Sequence, residues 1–193
     1  HQQHTSYCLF GSKKHLLANL FQNRRMPFYH FGDTIYLKPI PTNDWIPFIC
    51  EKFVEKGKKI SEELVSKICS TVASHSSYVQ QLAWNIMVNT ETEVTDEIFQ
   101  QSISELLAQC SPLFIQQIQG LTTYQMNLIR CLCQGVRKDF TSKDVLETYQ
   151  LGSKSNISRL KKTLVEKEII EEEGDTITLA DPIFELWFKR EYM

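Results

Sequence analysis

"SKSNISRLKKTLVEKEIIEEEGDTITLADP", residues 153–182, changes its apolar period halfway along. Ile157, Leu160, Leu164 and Val165 recur at the spacing of one helix face. After Ile169 and Ile170 come a Glu-Gly-Asp turn and Ile177 and Leu179 alternating with Thr, the pattern of two strands joined by a tight turn. A helix therefore feeds directly into a hairpin.

Two shorter helical stretches precede it. Residues 122–135, "TTYQMNLIRCLCQG", place Leu128, Ile129 and Leu132 inward and end at Gly135. Residues 141–152, "TSKDVLETYQLG", form a short helix capped by Thr141 or Ser142 and stopped by Gly152. Three helices followed by a two-stranded ribbon predict a winged helix over residues 121–193.

From residue 41 to 120 the periodicity is helical throughout. Thr42 is placed to cap a helix holding Trp45, Phe48, Ile49 and Phe53, which Gly57 ends. Ser61 caps the next, with Leu64, Val65, Ile68 and Val72 on one face. Ser77 precedes a third with Val79, Leu82, Ala83, Ile86 and Met87, and Thr95 begins a fourth with Ile98, Phe99, Ile103, Leu106 and Leu107. Pro112 is expected to end that helix and to start a shorter segment, "LFIQQI".

Residues 1–40 read differently. Tyr7-Cys8-Leu9-Phe10 is apolar without alternation, as in a strand covered on both faces. Gly11-Ser12 turns into a helix with Leu16, Leu17, Leu20 and Phe21, and "TIYLKPI", residues 34–40, returns as a second short strand. Strand, helix, strand is a crossover unit and predicts the edge of a parallel sheet. The fold expected is thus mainly α: a strand-helix-strand remnant of a parallel sheet at 1–40, a helical bundle at 41–120 and a winged helix at 121–193.

The 193 residues, 42% hydrophobic and 11% aromatic, describe an ordinary globular chain. No apolar run approaches the roughly 20 residues of a membrane-spanning helix, and the polar amino terminus lacks the form of a signal peptide. Net charge is only −2, but residues 61–120 hold a single Lys against seven carboxylates, while residues 1–60 are basic. The six cysteines include no Cys-x-x-Cys pair and mostly sit in apolar patterns. Reduced thiols, a cytoplasmic location and no metal site are expected.

On the third winged-helix helix, Lys154, Ser155, Asn156, Arg159, Lys161 and Lys162 are residue types that meet phosphates and base edges. Glu171, Glu172, Glu173 and Asp175 on the wing offset that charge. No nucleophile elbow, histidine metal spacing or Gly-rich phosphate loop is present; "GSKKHL" lacks the required G-x-x-x-x-G-K-[ST] spacing. The chain alone is expected to hydrolyse nothing.

Taken in order, "YCLFGSKKHLL", "RRMPFYHFGDTIYLKPI", "HSSYVQQLAW", "LGSKSNISRLKKTLVEKEII" and "TLADPIFELWF" resemble the carboxy-terminal part of prokaryotic AAA+ and STAND-type P-loop ATPases, in particular the archaeal-type ATPases. The resemblance implies that a P-loop core with its phosphate-binding loop and Mg-binding strand lies upstream of His1. It implies a sensor role towards the γ-phosphate for Ser12 and an arginine finger at Arg24 or Arg25. Residues 41–120 would form the nucleotide lid, with His75, Ser76 and Tyr78 at the nucleotide. Many relatives read Gly-x-Pro there, whereas this chain has Ser74-His75-Ser76. ATP and Mg would be bound only with the core present, and a protein client or self-association would be the partner. The alternative is a stand-alone winged-helix DNA-binding regulator whose helical middle mediates dimerisation; a third possibility is a scaffold that binds neither nucleotide nor DNA.

Overall fold

The computed structural model describes residues 7–11, 20–29 and 32–193. The chain divides into two units, residues 1–38 and 39–193.

In the first unit, residues 20–22 are helical and residues 24–29 form turns closed by Met26 N–H to Asn23 O (2.9 Å) and Tyr29 N–H to Met26 O (3.2 Å). Gln22 Nε2 donates to the Tyr36 hydroxyl at 2.7 Å. The strands expected at residues 7–10 and 34–40 are not present. Both stretches are exposed, and no ladder joins them among the described residues. The reason is physical: a parallel strand buries its apolar faces only under crossover helices and between further strands, and nothing described here covers Phe10 or Leu37.

The second unit is an α-helical assembly with one hairpin. Its described elements are α1 (Thr42–Glu55), α2 (Glu62–Thr71), α3 (Ser76–Asn89), α4 (Asp96–Ile118), α5 (Thr123–Cys133), α6 (Lys143–Thr148), α7 (Lys154–Glu166), β1 (Ile170–Glu173), β2 (Thr176–Leu179) and α8 (Pro182–Tyr192). Caps at Ser61, Thr95 and Ser142 form as the sequence predicts, each side chain accepting from the backbone N–H three residues on. Two predicted caps shift. Pro41 rather than Thr42 precedes α1, and His75 rather than Ser77 precedes α3, neither with a side-chain cap.

Helices α1 and α2 pack together, as do α3 and α4. A parallel bridge between Lys59 and Glu93 ties the α1–α2 connection to the α3–α4 connection, with Lys59 N–H donating to Thr92 O at 2.8 Å. The core is continuous from Trp45 and Phe53 through Phe99 and Phe114 to Leu128, Leu164, Ile177 and Phe188.

Pro112 does not end a helix: α4 runs unbroken through it to Ile118. A proline inside a helix costs about 3 kcal/mol for the missing hydrogen bond and the ring clash. Tertiary contacts around Pro112 offset that. Ser111 Oγ accepts from the Trp187 indole at 3.0 Å, and the buried Phe114 ring meets Phe184 and Trp187, each at 5.4 Å between centroids.

The wing is an antiparallel pair in the register Ile170↔Leu179, Glu171↔Thr178, Glu172↔Ile177, Glu173↔Thr176, with Gly174 at φ +60° in the turn. Ile177 and Leu179 point into the core while Thr178 faces out, and Ile177 N–H also donates to Arg137 O at 3.0 Å. Helices α5, α6 and α7 followed by β1 and β2 are the winged helix, and α8 returns from the wing onto α4 and α5.

Candidate functional site

The amino-terminal end of α7 is shaped by Gly152. Its φ of +81° suits glycine, and a Cβ there would lie 3.3 Å from the Tyr124 ring and 3.4 Å from Asn156 Nδ2. The turn brings Tyr124, Gly152, Ser153, Ser155, Asn156 and Arg159 around a polar hollow of about 370 Å3. Asn156 is fixed at both ends of its amide: Nδ2 donates to Leu151 O at 3.2 Å and Oδ1 accepts from Arg159 at 3.1 Å. The Ser153 and Ser155 hydroxyls lie 2.9 Å apart. The first turn of α7 holds no carboxylate, so the positive end of its dipole is uncompensated by acidic side chains of that turn.

Lys154, Ser155, Arg159 and Lys162 are exposed on α7 and Asn156 is half-buried; of these, Ser155, Asn156 and Arg159 line the hollow, whereas Lys162 lies in the carboxy-terminal half of the helix. Lys161 is turned away, its ammonium 5.1 Å from the centre of the Phe140 ring and 4.0 Å from Glu172. Lys162 lies 3.9 Å from Glu166. Glu171, Glu172, Glu173 and Asp175 are exposed on the wing beside this helix.

The second set of predicted residues sits at the start of α3. Ala73 and Ser74 both have left-handed backbones, φ 49° and 54°, an uncommon conformation for non-glycine residues. They deliver an exposed His75 whose ring centre lies 4.8 Å from that of Tyr78. Tyr78 is half-buried, and its hydroxyl donates to Asp181 Oδ2 at 2.6 Å. Asp181 Oδ1 accepts from Ile183 N–H (2.7 Å) and Phe184 N–H (3.1 Å), capping α8. Burial first, and then the bond to the Asp181 carboxylate, push the Tyr78 hydroxyl above the usual tyrosine range. Burial and the Asp181 charge push the nearby Cys110 thiol up as well. No motif in the sequence marks this pairing, because its partners are separated by 103 positions. Ser76 opens α3, its carbonyl accepting from Gln80.

Arg24 and Arg25 lie in the turn of the first unit. Arg24 Nε donates to the Tyr29 hydroxyl at 3.4 Å, and Arg25 is exposed. Ser12 lies outside the described residues. Among the described residues no three His, Cys, Asp or Glu side chains converge as metal ligands.

Residues 112–190 match the family described as "Probable winged helix domain". The match begins at Pro112 inside α4, where Ser111 and Phe114 meet α8. Comparison with curated proteins found no match. Among solved structures the chain is similar to the Walker-type ATPase PABY2304 of Pyrococcus abyssi, with a TM-score of 0.65 and 16% identity. The likeness covers 90% of this chain and 50% of that one, so the chain spans half the length of the ATPase it matches. The chain therefore carries a winged helix at residues 112–190 within a fold shared with a Walker-type ATPase.

Proposed function

We propose that this chain is the helical lid and winged-helix region of an ATP-binding ATPase of the AAA+/STAND kind, and that it passes nucleotide state to a partner. The observation that carries the reading is the Tyr78–Asp181 bond. It joins the segment His75–Tyr78, which the family resemblance puts at the nucleotide, to the cap of the last winged-helix helix. A displacement of the α3 start is delivered to α8 through that bond and through the Ser111–Trp187 contact. A P-loop core supplies the phosphate loop and the Mg-binding carboxylate. Ser12 is its γ-phosphate sensor, and Arg24 or Arg25 its arginine finger, placing positive charge at the transferring phosphoryl group. A cytoplasmic location goes with this reading; among the described residues no helix is long and apolar enough to cross a membrane.

An antibody raised against residues 39–193 tests it in native cells. We expect a polypeptide heavier than 22.5 kDa by roughly 100–200 residues, a further domain's worth, that hydrolyses ATP. A native band at 22.5 kDa overturns the reading.

The second reading is a DNA-binding regulator. It is favoured by the hollow at the start of α7, where Arg159, Ser155 and the helix end offer donors to a phosphate. The acidic wing weighs against it. Retardation of duplex DNA that weakens steeply with salt would move this reading to the front.

A further inference from the structure

The face of the helical bundle made by α1 and α3 holds a groove that neither the lid role nor the winged helix uses. It has a volume of about 470 Å3, and its walls include Trp45, Phe48, Trp84, Met87, Asn85 and Lys56. That volume lies within the range of about 300–1,000 Å3 typical of small-molecule sites, which are apolar with a few placed polar groups. Two large rings are presented to solvent rather than packed away: Trp84 is 61% exposed and Phe48 47%. The groove walls carry amides and two ammonium groups, Lys52 and Lys56, beside one carboxylate, Glu55. Among the described residues nothing pairs with the indole N–H of Trp45, which is only 4% exposed, or with the buried Asn85 Nδ2. Among the described residues Lys56, on the rim, has no acidic partner within ion-pair distance, whereas Lys52 is held by Glu55 at 2.7 Å.

Unpaired donors, the Lys56 ammonium and exposed aromatic rings, with the Lys52 ammonium 5.9 Å from the centre of the Phe48 ring, call for an occupant that is flat, apolar on its faces, and rich in acceptors at one edge. We propose that this groove binds a small planar aromatic anion. Its ring lies against Trp84 and Phe48, and its acid group faces Lys56. The terminal torsion of an asparagine is soft, so the Asn85 amide turns to donate to the acid group or to a neighbouring carbonyl. This does not depend on the ATPase reading, since Phe48 belongs to α1, Trp84 and Asn85 to α3, and Lys56 directly follows α1.

The probe is 8-anilinonaphthalene-1-sulfonate, titrated into the 193-residue chain and followed by its own emission and by quenching of tryptophan. We expect one saturable site. Trp84→Ala weakens it about tenfold, equivalent to about 1.4 kcal/mol, and Lys56→Ala weakens it at low salt. Both side chains are exposed, so both variants keep the helical circular dichroism of the parent. Ile115→Ser, in the separate groove beside Trp187, leaves binding unchanged. The neutral analogue N-phenyl-1-naphthylamine binds more weakly and is indifferent to Lys56→Ala. Binding that survives Trp84→Ala, or that is lost with Ile115→Ser, overturns the site. Equal affinity for the neutral analogue overturns the anionic ligand class.

Discussion

The Tyr78 hydroxyl lies 2.6 Å from Asp181 Oδ2, while Asp181 Oδ1 takes the first two free N–H groups of α8. One carboxylate thus holds the end of the winged helix and the start of α3 together. Tyr78→Phe removes the bond and leaves the cap, with an expected loss of about 1.5–3 kcal/mol, the range for hydrogen bonds to charged groups. Asp181→Ala removes the cap as well, for about 1 kcal/mol more. Urea unfolding checks both, and the double variant should cost less than the sum, because the two share one interaction. Full additivity would show that the bond contributes nothing in solution.

Phe114, Phe184 and Trp187 form the junction between α4 and α8, and all three are buried. Phe114→Ala should cost about 3–5 kcal/mol. Because the core is continuous across the junction, circular dichroism at 222 nm and tryptophan emission should report one coincident transition. Two separated transitions would show that the helical bundle and winged helix fold independently.

Ala73 adopts φ 49° between α2 and α3, and Ala73→Gly should stabilise the fold by about 1 kcal/mol by relieving a left-handed backbone. Gly152→Ala should do the reverse, since φ +81° and the 3.3 Å approach of Tyr124 both oppose a Cβ. Thermal denaturation distinguishes them by opposite shifts in Tm. A destabilised Ala73→Gly would show that the Ala73 side chain does more than occupy a strained position.

Burial pushes the Cys131 thiol up to about 12 and the Cys133 thiol up to about 11, and the Tyr78 hydroxyl also rises. The folded state therefore keeps protons that the unfolded chain releases above its ordinary thiol value of 9.0. This stability is fully present below pH 9.0 and is lost as pH climbs from there towards about 12. Tm measured in steps from pH 7 to pH 11 should be level at first and then fall. A level profile throughout would contradict the burial of these groups. Over the same range Cys8, which is exposed, should alkylate well before Cys131 or Cys133.

Replacing Glu171, Glu172 and Glu173 by Gln should strengthen retention on duplex DNA at low salt by removing carboxylates beside α7. Arg159→Ala should weaken it and lower the salt slope by about 0.9 if Arg159 meets one phosphate. Wing variants that leave retention unchanged would take the α7 face out of contact with DNA.

The winged helix was legible because it rests on local chemistry. Its alternating Ile177 and Leu179, the Gly174 turn and the Ser142 cap each act within a few residues. The helical middle was legible for the same reason, through 3.6-residue periodicity and the caps at Ser61 and Thr95. The strands expected in residues 7–10 and 34–40 rested on local apolar pattern, and a strand is completed only by neighbours, of which the described residues show none for either stretch.

What the sequence by itself determined is the succession of helices and hairpin from α5 to β2 and the chemistry along α7, because helix faces, turns and caps are set by neighbours in the chain. Tertiary structure alone decided that α4 passes through Pro112, since the offset to the lost hydrogen bond comes from Trp187 and Phe184, more than 70 residues away. It alone decided that the Tyr78 hydroxyl bonds to Asp181 and that Lys161 faces Phe140 and Glu172. It also left Trp84 and Phe48 open on one groove. These are pairings between distant positions, and the energy that selects them exists only once the packed core has brought the partners within reach.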